Sequence, residues 1–219
     1  MLMKNILLII FESILFSGCN SLQGQNKDVE EFVKIVIETY NEKNSVKFNQ
    51  LINKNTGLVF ITTMGSNNTW LKVHKVCLSK KCLQTNSTES IGIPYQSFLE
   101  GYKVENLNLN KIEFTEKSFF ECEKIEKYGV FVSSKDKFHS LSGSVSFFIK
   151  NYSNIIGEKI DSSKKKELDT DLKKFRKIEL TSRRVTMNSK GGTFVFYITN
   201  IAGKWYLTII DFASMDCSV

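Results

Sequence analysis

Proline is nearly absent from this chain of 219 residues: the only one is Pro94, and glycine occupies just 12 positions. That scarcity excludes collagen-like repeats, proline-rich spacers and low-complexity tails. Histidine is equally rare, with His74 and His139 the only two, so a nucleophilic triad or an imidazole-based metal centre has little to draw on. No serine sits in Gly-x-Ser-x-Gly, and Leu141-Ser-Gly-Ser144 reads as a polar turn. The His-Glu-x-x-His, Walker and dinucleotide glycine patterns are missing, which leaves no motif for a zinc protease, a phosphate loop or a nicotinamide enzyme. The absence of Cys-x-x-Cys speaks against a thiol oxidoreductase as well. Past residue 19 no apolar run approaches the roughly 18 residues that would span a bilayer.

What the chain does have is globular. Apolar residues make up 42% and charged residues 24%, and 17 Phe with 7 Tyr supply more apolar surface than a disordered chain carries. Lys and Arg number 30 against 23 Asp and Glu, a net +7. The length suits one compact domain.

Residues 1–19 read MLMKNILLIIFESILFSGC. Lys4 provides a positive start, Ile6–Ile10 and Ile14–Phe16 an apolar middle interrupted by Glu12, and Ser17-Gly18 a small-residue exit, the order of an export signal. Phe16-Ser17-Gly18-Cys19 resembles the lipobox of bacterial lipoproteins, with Phe16 where Leu is more usual. The resemblance implies that residues 1–18 are a signal peptide and that Cys19 becomes the first mature residue, carrying acyl chains of the palmitate type. Residues 19–27 are polar and aperiodic, as a tether requires. Asn20 rather than Asp after the cysteine favours the outer membrane. Residues 28–219 are expected to form one domain.

From Asp28 to Asn44 the positions Val29, Phe32, Val33, Val36, Ile37 and Tyr40 share one helix face, with Asp28 as cap and Glu31 at capping-box distance. A short helical stretch, Val46–Ile52, precedes the reversal Asn53–Gly57. Two strands follow, 57–63 and 68–73, as a hairpin or as two neighbouring strands. The span 73–102 reads as loop with a helical turn at 95–100. Residues 104–114 read as a strand whose alternation slips near Asn110. Ser118–Ile125 and Val130–Ser133 form a candidate hairpin, 144–155 fits either type, and Lys164–Arg176 is helical. Three strands close the chain, 178–187, 193–199 and 204–212, with glycine in both joints.

Helices first and a strand meander last predict an α+β fold, N-terminal helices packed on a curved antiparallel sheet. The order, and above all Gly192 to Asp211 with its Gly-Lys-Trp-Tyr-Leu segment, resembles the nuclear-transport-factor-two-like, cystatin-like cone and a set of uncharacterised envelope lipoproteins. The resemblance implies a pocket between sheet and helix.

Alternation places Trp205, Leu207, Ile209 and Asp211 on one face of the last strand and Tyr206, Thr208, Ile210 and Phe212 on the other. Facing a cone pocket, Asp211 becomes a candidate general base. As a strand-end residue it caps a turn instead. Besides Cys19, an even set remains, Cys77, Cys82, Cys122 and Cys217, which in an exported chain reads as disulfides, Cys77 with Cys82 and Cys122 with Cys217. The alternative for His74, Cys77 and Cys82 is a metal site lacking its fourth ligand. Residues 159–190 hold eleven Lys or Arg against five acids, including Lys164, Lys165, Lys166, Lys173, Lys174, Arg176 and Lys177. With only Phe175 interleaved, the patch suits anionic headgroups or acidic glycans rather than nucleic acid. These readings converge on a non-enzymatic binding or structural lipoprotein of the cell envelope, facing periplasm or exterior, without cofactor or metal. Its expected partners are the membrane through the lipid, and an envelope protein, a glycan or a small apolar ligand. The alternative is a small-molecule hydrolase or isomerase using Asp211.

Overall fold

The computed structural model describes residues 24, 26–64, 67–78, 107–116, 120–121, 124–133 and 140–215. The expected signal peptide, the turn at 95–100, Cys19, Cys82, Cys122, Cys217 and His139 lie outside them. Two compact units are found, Met1–Ile35 and Val36–Val219. In the first, residues 26–35 are helical, with Lys34 and Glu30 ion-paired at 2.8 Å one turn apart. The helical residues 36–41 of the second unit are α1.

The second unit opens with α1 residues 36–41, ended by Lys43 at φ 52 and by the Asn44 amide donating to Thr39 O at 3.0 Å. This is a Schellman closure with lysine where glycine is the usual residue. Asn44 then caps α2 (Ser45–Gln50) by accepting from the Lys47 amide at 3.1 Å. The strands β1 (Leu58–Met64) and β2 (Asn67–Val73) form the expected hairpin, Leu58 opposite Val73. A turn at 108–111 falls where the alternation slips, followed by β3 (Ile112–Thr115).

Two segments depart from the sequence reading. Among the described residues the β4 (Phe120–Glu121) and β5 (Lys124–Ile125) strands pair only with each other, and β6 (Gly129–Ser133) pairs with β3 in parallel instead of closing a hairpin on β5. Four consecutive buried residues mark β6 as an inner strand covered on both faces, and it lies between β7 and β3. The undecided segment is helical, as α3 (Ser140–Lys150) and α4 (Tyr152–Ile156). The α5 helix (Ser162–Thr181) overruns its expected end, because Leu168, Phe175 and Ile178 continue one buried face and Ser182 closes the last turn. The first positions expected of the next strand are therefore helical.

The meander β7 (Ser182–Ser189), β8 (Gly192–Ile201) and β9 (Lys204–Asp211) forms the middle of the sheet. Among the described residues seven strands join in the order β2-β1-β9-β8-β7-β6-β3. The sheet is mixed, not antiparallel: β1 runs parallel to β9 and β3 to β6. The class is α+β.

Both faces of the central strands are covered, which is why β8 is buried at seven consecutive positions, Thr193–Thr199. On one face Val59, Ile61, Val195, Tyr197 and Ile209 meet Leu141 and Val145 of α3 and Phe175 and Ile178 of α5. On the other, Tyr40 stacks on Phe194 at 5.5 Å, and Phe194 meets Phe212 edge-on at 6.4 Å. Each such buried aromatic contributes roughly 1.5–3 kcal/mol of transfer free energy. A bulge corrects the face assignment in β9. Tyr197 faces Ile209 and Ile198 faces Leu207, so Thr208 is the extra residue, and Leu207 turns to the face of Ile210, away from Ile209.

Candidate functional site

Asp211 ends β9 opposite Ile61 and is wholly buried. Its Oδ1 accepts the Ser214 amide at 2.8 Å and its Oδ2 the Ser214 hydroxyl at 2.5 Å, with Tyr197 Oη at 3.5 Å. The carboxylate thus caps the 3₁₀ turn Ala213–Met215, the turn-capping alternative of the sequence reading. Burial pushes its pKa up, opposed by the Ser214 hydrogen bonds, the Arg184 charge and Tyr197.

The space between the sheet and α1–α2 where a cone pocket is expected is a void of about 10 Å³, lined only by apolar or aromatic side chains such as Ile37, Tyr40, Phe48, Met187, Phe194 and Leu207. It holds about one water at most. Asp211 is not on its wall. His74 is exposed just past β2. Its strand end pairs with Leu58, three residues from the position opposite Asp211, or roughly 10 Å along β1. Cys77 is disulfide-bonded, its partner lying outside the described residues. Among the described residues no cluster of His, Cys, Asp or Glu is suited to a metal ion.

The basic residues of α5 divide into two sets. Lys164 pairs with Glu167 and Lys165 with Asp169, each at 3.0 Å. Lys166, Lys173, Lys174, Arg176 and Lys177 are exposed, and no ion pair engages them among the described residues.

Lys174 and Lys177 edge a cleft of about 210 Å³ between the C-terminal half of α5 and the tip of the β8–β9 hairpin. Thr181, Asn200 and Ala202 stand at its rim, Ile178 and Thr199 are buried, and Thr56 and Ile201 complete the lining. The hairpin tip has positive φ at both central residues, Ala202 (53°) and Gly203 (84°), a type I′ turn, and Asn200 Oδ1 accepts the Gly203 amide at 3.0 Å. Beneath the cleft Thr208, Thr199 and Ser182 form a hydroxyl chain, 2.7 Å and 2.9 Å apart, that ends on Ile178 O at 2.6 Å.

Sequence reasoning identified Lys174 and Lys177 as part of a basic patch but missed Thr56, Thr181, Thr199 and Asn200. The legible signal was local: Lys174, Lys177 and Thr181 recur at helical spacing beside Ile178, and Asn200-Ile-Ala-Gly203 is a tight-turn pattern. The chain matches no protein-family model, no curated protein and no solved structure.

Proposed function

We propose that the protein is a lipoprotein of the bacterial cell envelope, held by acylated Cys19 to a membrane, most naturally the outer one, and acting there as a non-enzymatic binding module. The observation that carries the binding reading is where the charged groups stand. The acid of the apolar interior is engaged in a turn cap, whereas the open concavity is edged by two lysines without ion-pair partners among the described residues. The disulfide at Cys77 supports an exported chain, because such bonds persist in oxidising compartments. No helix among the described residues is long and apolar enough to cross a membrane, which is compatible with a lipid anchor.

We further infer that the sheet curls around α1 as in the cone fold. What supports this is the bulge at Thr208, which adds local twist, and the stacking of Tyr40 on Phe194. The hydrolase or isomerase alternative has less support, since Asp211 lines neither the apolar void nor the basic cleft.

The test is mass spectrometry of the protein extracted from membranes. A lipid-modified N-terminal Cys19, lost in Cys19→Ser together with membrane attachment, is the expected result. An unmodified, soluble wild-type chain refutes the anchor. A turnover activity lost in a folded Asp211→Asn variant refutes the non-enzymatic reading.

A further inference from the structure

We propose that the cleft between α5 and the β8–β9 tip is a binding site for an anionic sugar residue, a ring that carries a carboxylate or phosphate together with free hydroxyls. The proposal rests on the reading of a binding module but not on the lipid anchor. Charge gives the first half of the ligand. Lys174 and Lys177 stand one helical turn apart, and among the described residues the lining contains no Asp or Glu to neutralise them. The C-terminal end of a helix by itself attracts cations. Here, however, two of its carbonyls are already satisfied. Thr181 Oγ1 donates to Lys177 O at 2.9 Å and Ser182 Oγ to Ile178 O at 2.6 Å, so the ammonium groups face the cleft with their donors uncommitted to those oxygens.

Proton counting gives the second half. Ser182, Thr199 and Thr208 have three hydroxyl protons between them. Four contacts compete for those protons: Ser182 to Ile178 O, Ser182 with Thr199, Thr199 with Thr208, and Thr208 to Tyr197 O at 3.3 Å. The longest is the one left unmade. The chain then runs one way, Thr208 donating to Thr199, Thr199 to Ser182, and Ser182 to Ile178 O. Thr199 therefore offers the cleft only an acceptor lone pair. Thr181 offers the same, its proton being spent on Lys177 O. Asn200, with its carbonyl oxygen engaged by the Gly203 amide, retains its amide donors. An anion without hydroxyl groups, such as acetate, satisfies the lysines and leaves the threonine acceptors without donors. A hydroxylated anion satisfies both. Ile178, Ile201 and Ala202 supply an apolar wall for the C–H face of a ring. At about 210 Å³ the cleft is sized for a single sugar unit, not an oligosaccharide.

The test is calorimetric titration of the full mature chain at fixed ionic strength with glucuronate, glucose 6-phosphate, glucose, acetate and inorganic phosphate. Glucuronate or glucose 6-phosphate should bind about tenfold or more tightly than glucose, acetate and phosphate, and the stronger of the two identifies the anionic group. The Lys174→Gln/Lys177→Gln variant should reduce that affinity to the level of glucose. Thr181→Val, at an exposed position that leaves the fold intact, should narrow the gap between glucuronate and acetate. Neither sugar anion binding more tightly than its simple counterpart (glucuronate against acetate, glucose 6-phosphate against phosphate), no saturable binding, or binding unchanged by the double lysine substitution would overturn the proposal. Lipid modification of Cys19 is read separately, so loss of sugar binding with Cys19 acylated sinks this inference alone.

Discussion

Lys72 on β2 places its ammonium 2.8 Å from both carboxylate oxygens of Asp171 on α5, joining the edge hairpin to the helix that covers the sheet. Asp171 is 10% exposed and Lys72 29%, so the pair is neither a surface contact nor fully desolvated. Removing only the lysine leaves a nearly buried charge alone, which costs 3–5 kcal/mol in a fully buried pair and about 1–3 kcal/mol here. Lys72→Met should therefore lower the urea midpoint sharply. The double substitution Lys72→Met/Asp171→Leu should recover most of the loss, because an apolar pair needs no mutual compensation. Equal midpoints for single and double variants would show that the charge pair carries no coupling.

The turn residues make a prediction of opposite sign. Lys43 (φ 52) and Ala202 (φ 53) occupy left-handed backbone that costs an L-residue about 1–2 kcal/mol and glycine almost nothing. Ala202→Gly should raise stability by somewhat less than that cost, since glycine is also freer in the unfolded chain. Lys43→Gly should gain less, because Lys43 Nζ lies 3.9 Å above the Tyr40 ring and that contact is lost. Gly57 shows the reverse case. Its φ is +76° and an added Cβ would meet Val73 O at 2.8 Å, so Gly57→Ala should destabilise by roughly 1–3 kcal/mol. Thermal midpoints of the three variants check all three signs.

These positions also show what a sequence can reveal. The helix of residues 26–41 and the β7–β9 meander were legible because their signals are local: apolar residues at helical spacing, and glycine in both joints. The Thr208 bulge was not legible. Where both faces of a sheet are covered, a run such as Thr193–Thr199 has no polar alternation, so a one-residue slip in its partner leaves no mark. The parallel contacts of β1 with β9 and of β3 with β6 were hidden for a different reason, since they join segments with no shared turn. The cleft combines both obstacles. Its lining comes from residue 56, from α5 and from a hairpin tip, and only the two lysines announced themselves in advance.

Asp211 predicts a pH dependence whose sign follows from its burial. With the folded pKa raised above the ordinary 3.8, the native state holds the proton more tightly than the unfolded chain. The resulting stabilisation is fully present below the unfolded pKa and is lost as pH rises through the folded one. Asp211→Asn cannot ionise and should remove this slope. Its cost at low pH should be about 1 kcal/mol, because the asparagine oxygen still accepts the Ser214 amide. Urea midpoints measured from about pH 3 to pH 7 should show wild type losing ground to the variant as pH increases. Parallel curves would mean that the Ser214 and Arg184 interactions cancel the effect of burial.

For the cysteines the expected pairing is Cys77 with Cys82 and Cys122 with Cys217. In the chain-entropy model the long loop is worth about 4–5 kcal/mol and the short one less. Cys217→Ser should thus destabilise more than Cys82→Ser, and Cys77→Ser should match Cys82→Ser. Non-reducing peptide mapping decides the connectivity. A Cys77 peptide joined to Cys122 or Cys217 rejects this pairing while keeping Cys77 oxidised.

Charge on α5 leads to the last prediction, where the structure redirects an expectation about the whole basic patch. Attraction to an anionic membrane is worth about 1 kcal/mol for each basic side chain near the surface, and a lysine already paired to a carboxylate contributes less. Lys164 and Lys165 are so paired, with Glu167 and Asp169, whereas Lys173 and Lys177 are exposed and engaged in no ion pair among the described residues. Lys173→Glu/Lys177→Glu should therefore weaken binding of the unlipidated domain to phosphatidylglycerol vesicles more than Lys164→Glu/Lys165→Glu does. The difference should shrink as added salt shortens the Debye length from about 10 Å at 0.1 M to about 3 Å at 1 M. Sedimentation with vesicles at several salt concentrations measures both effects. Equal losses in the two double variants would show that net charge alone, and not the arrangement of ion pairs along α5, governs the attraction.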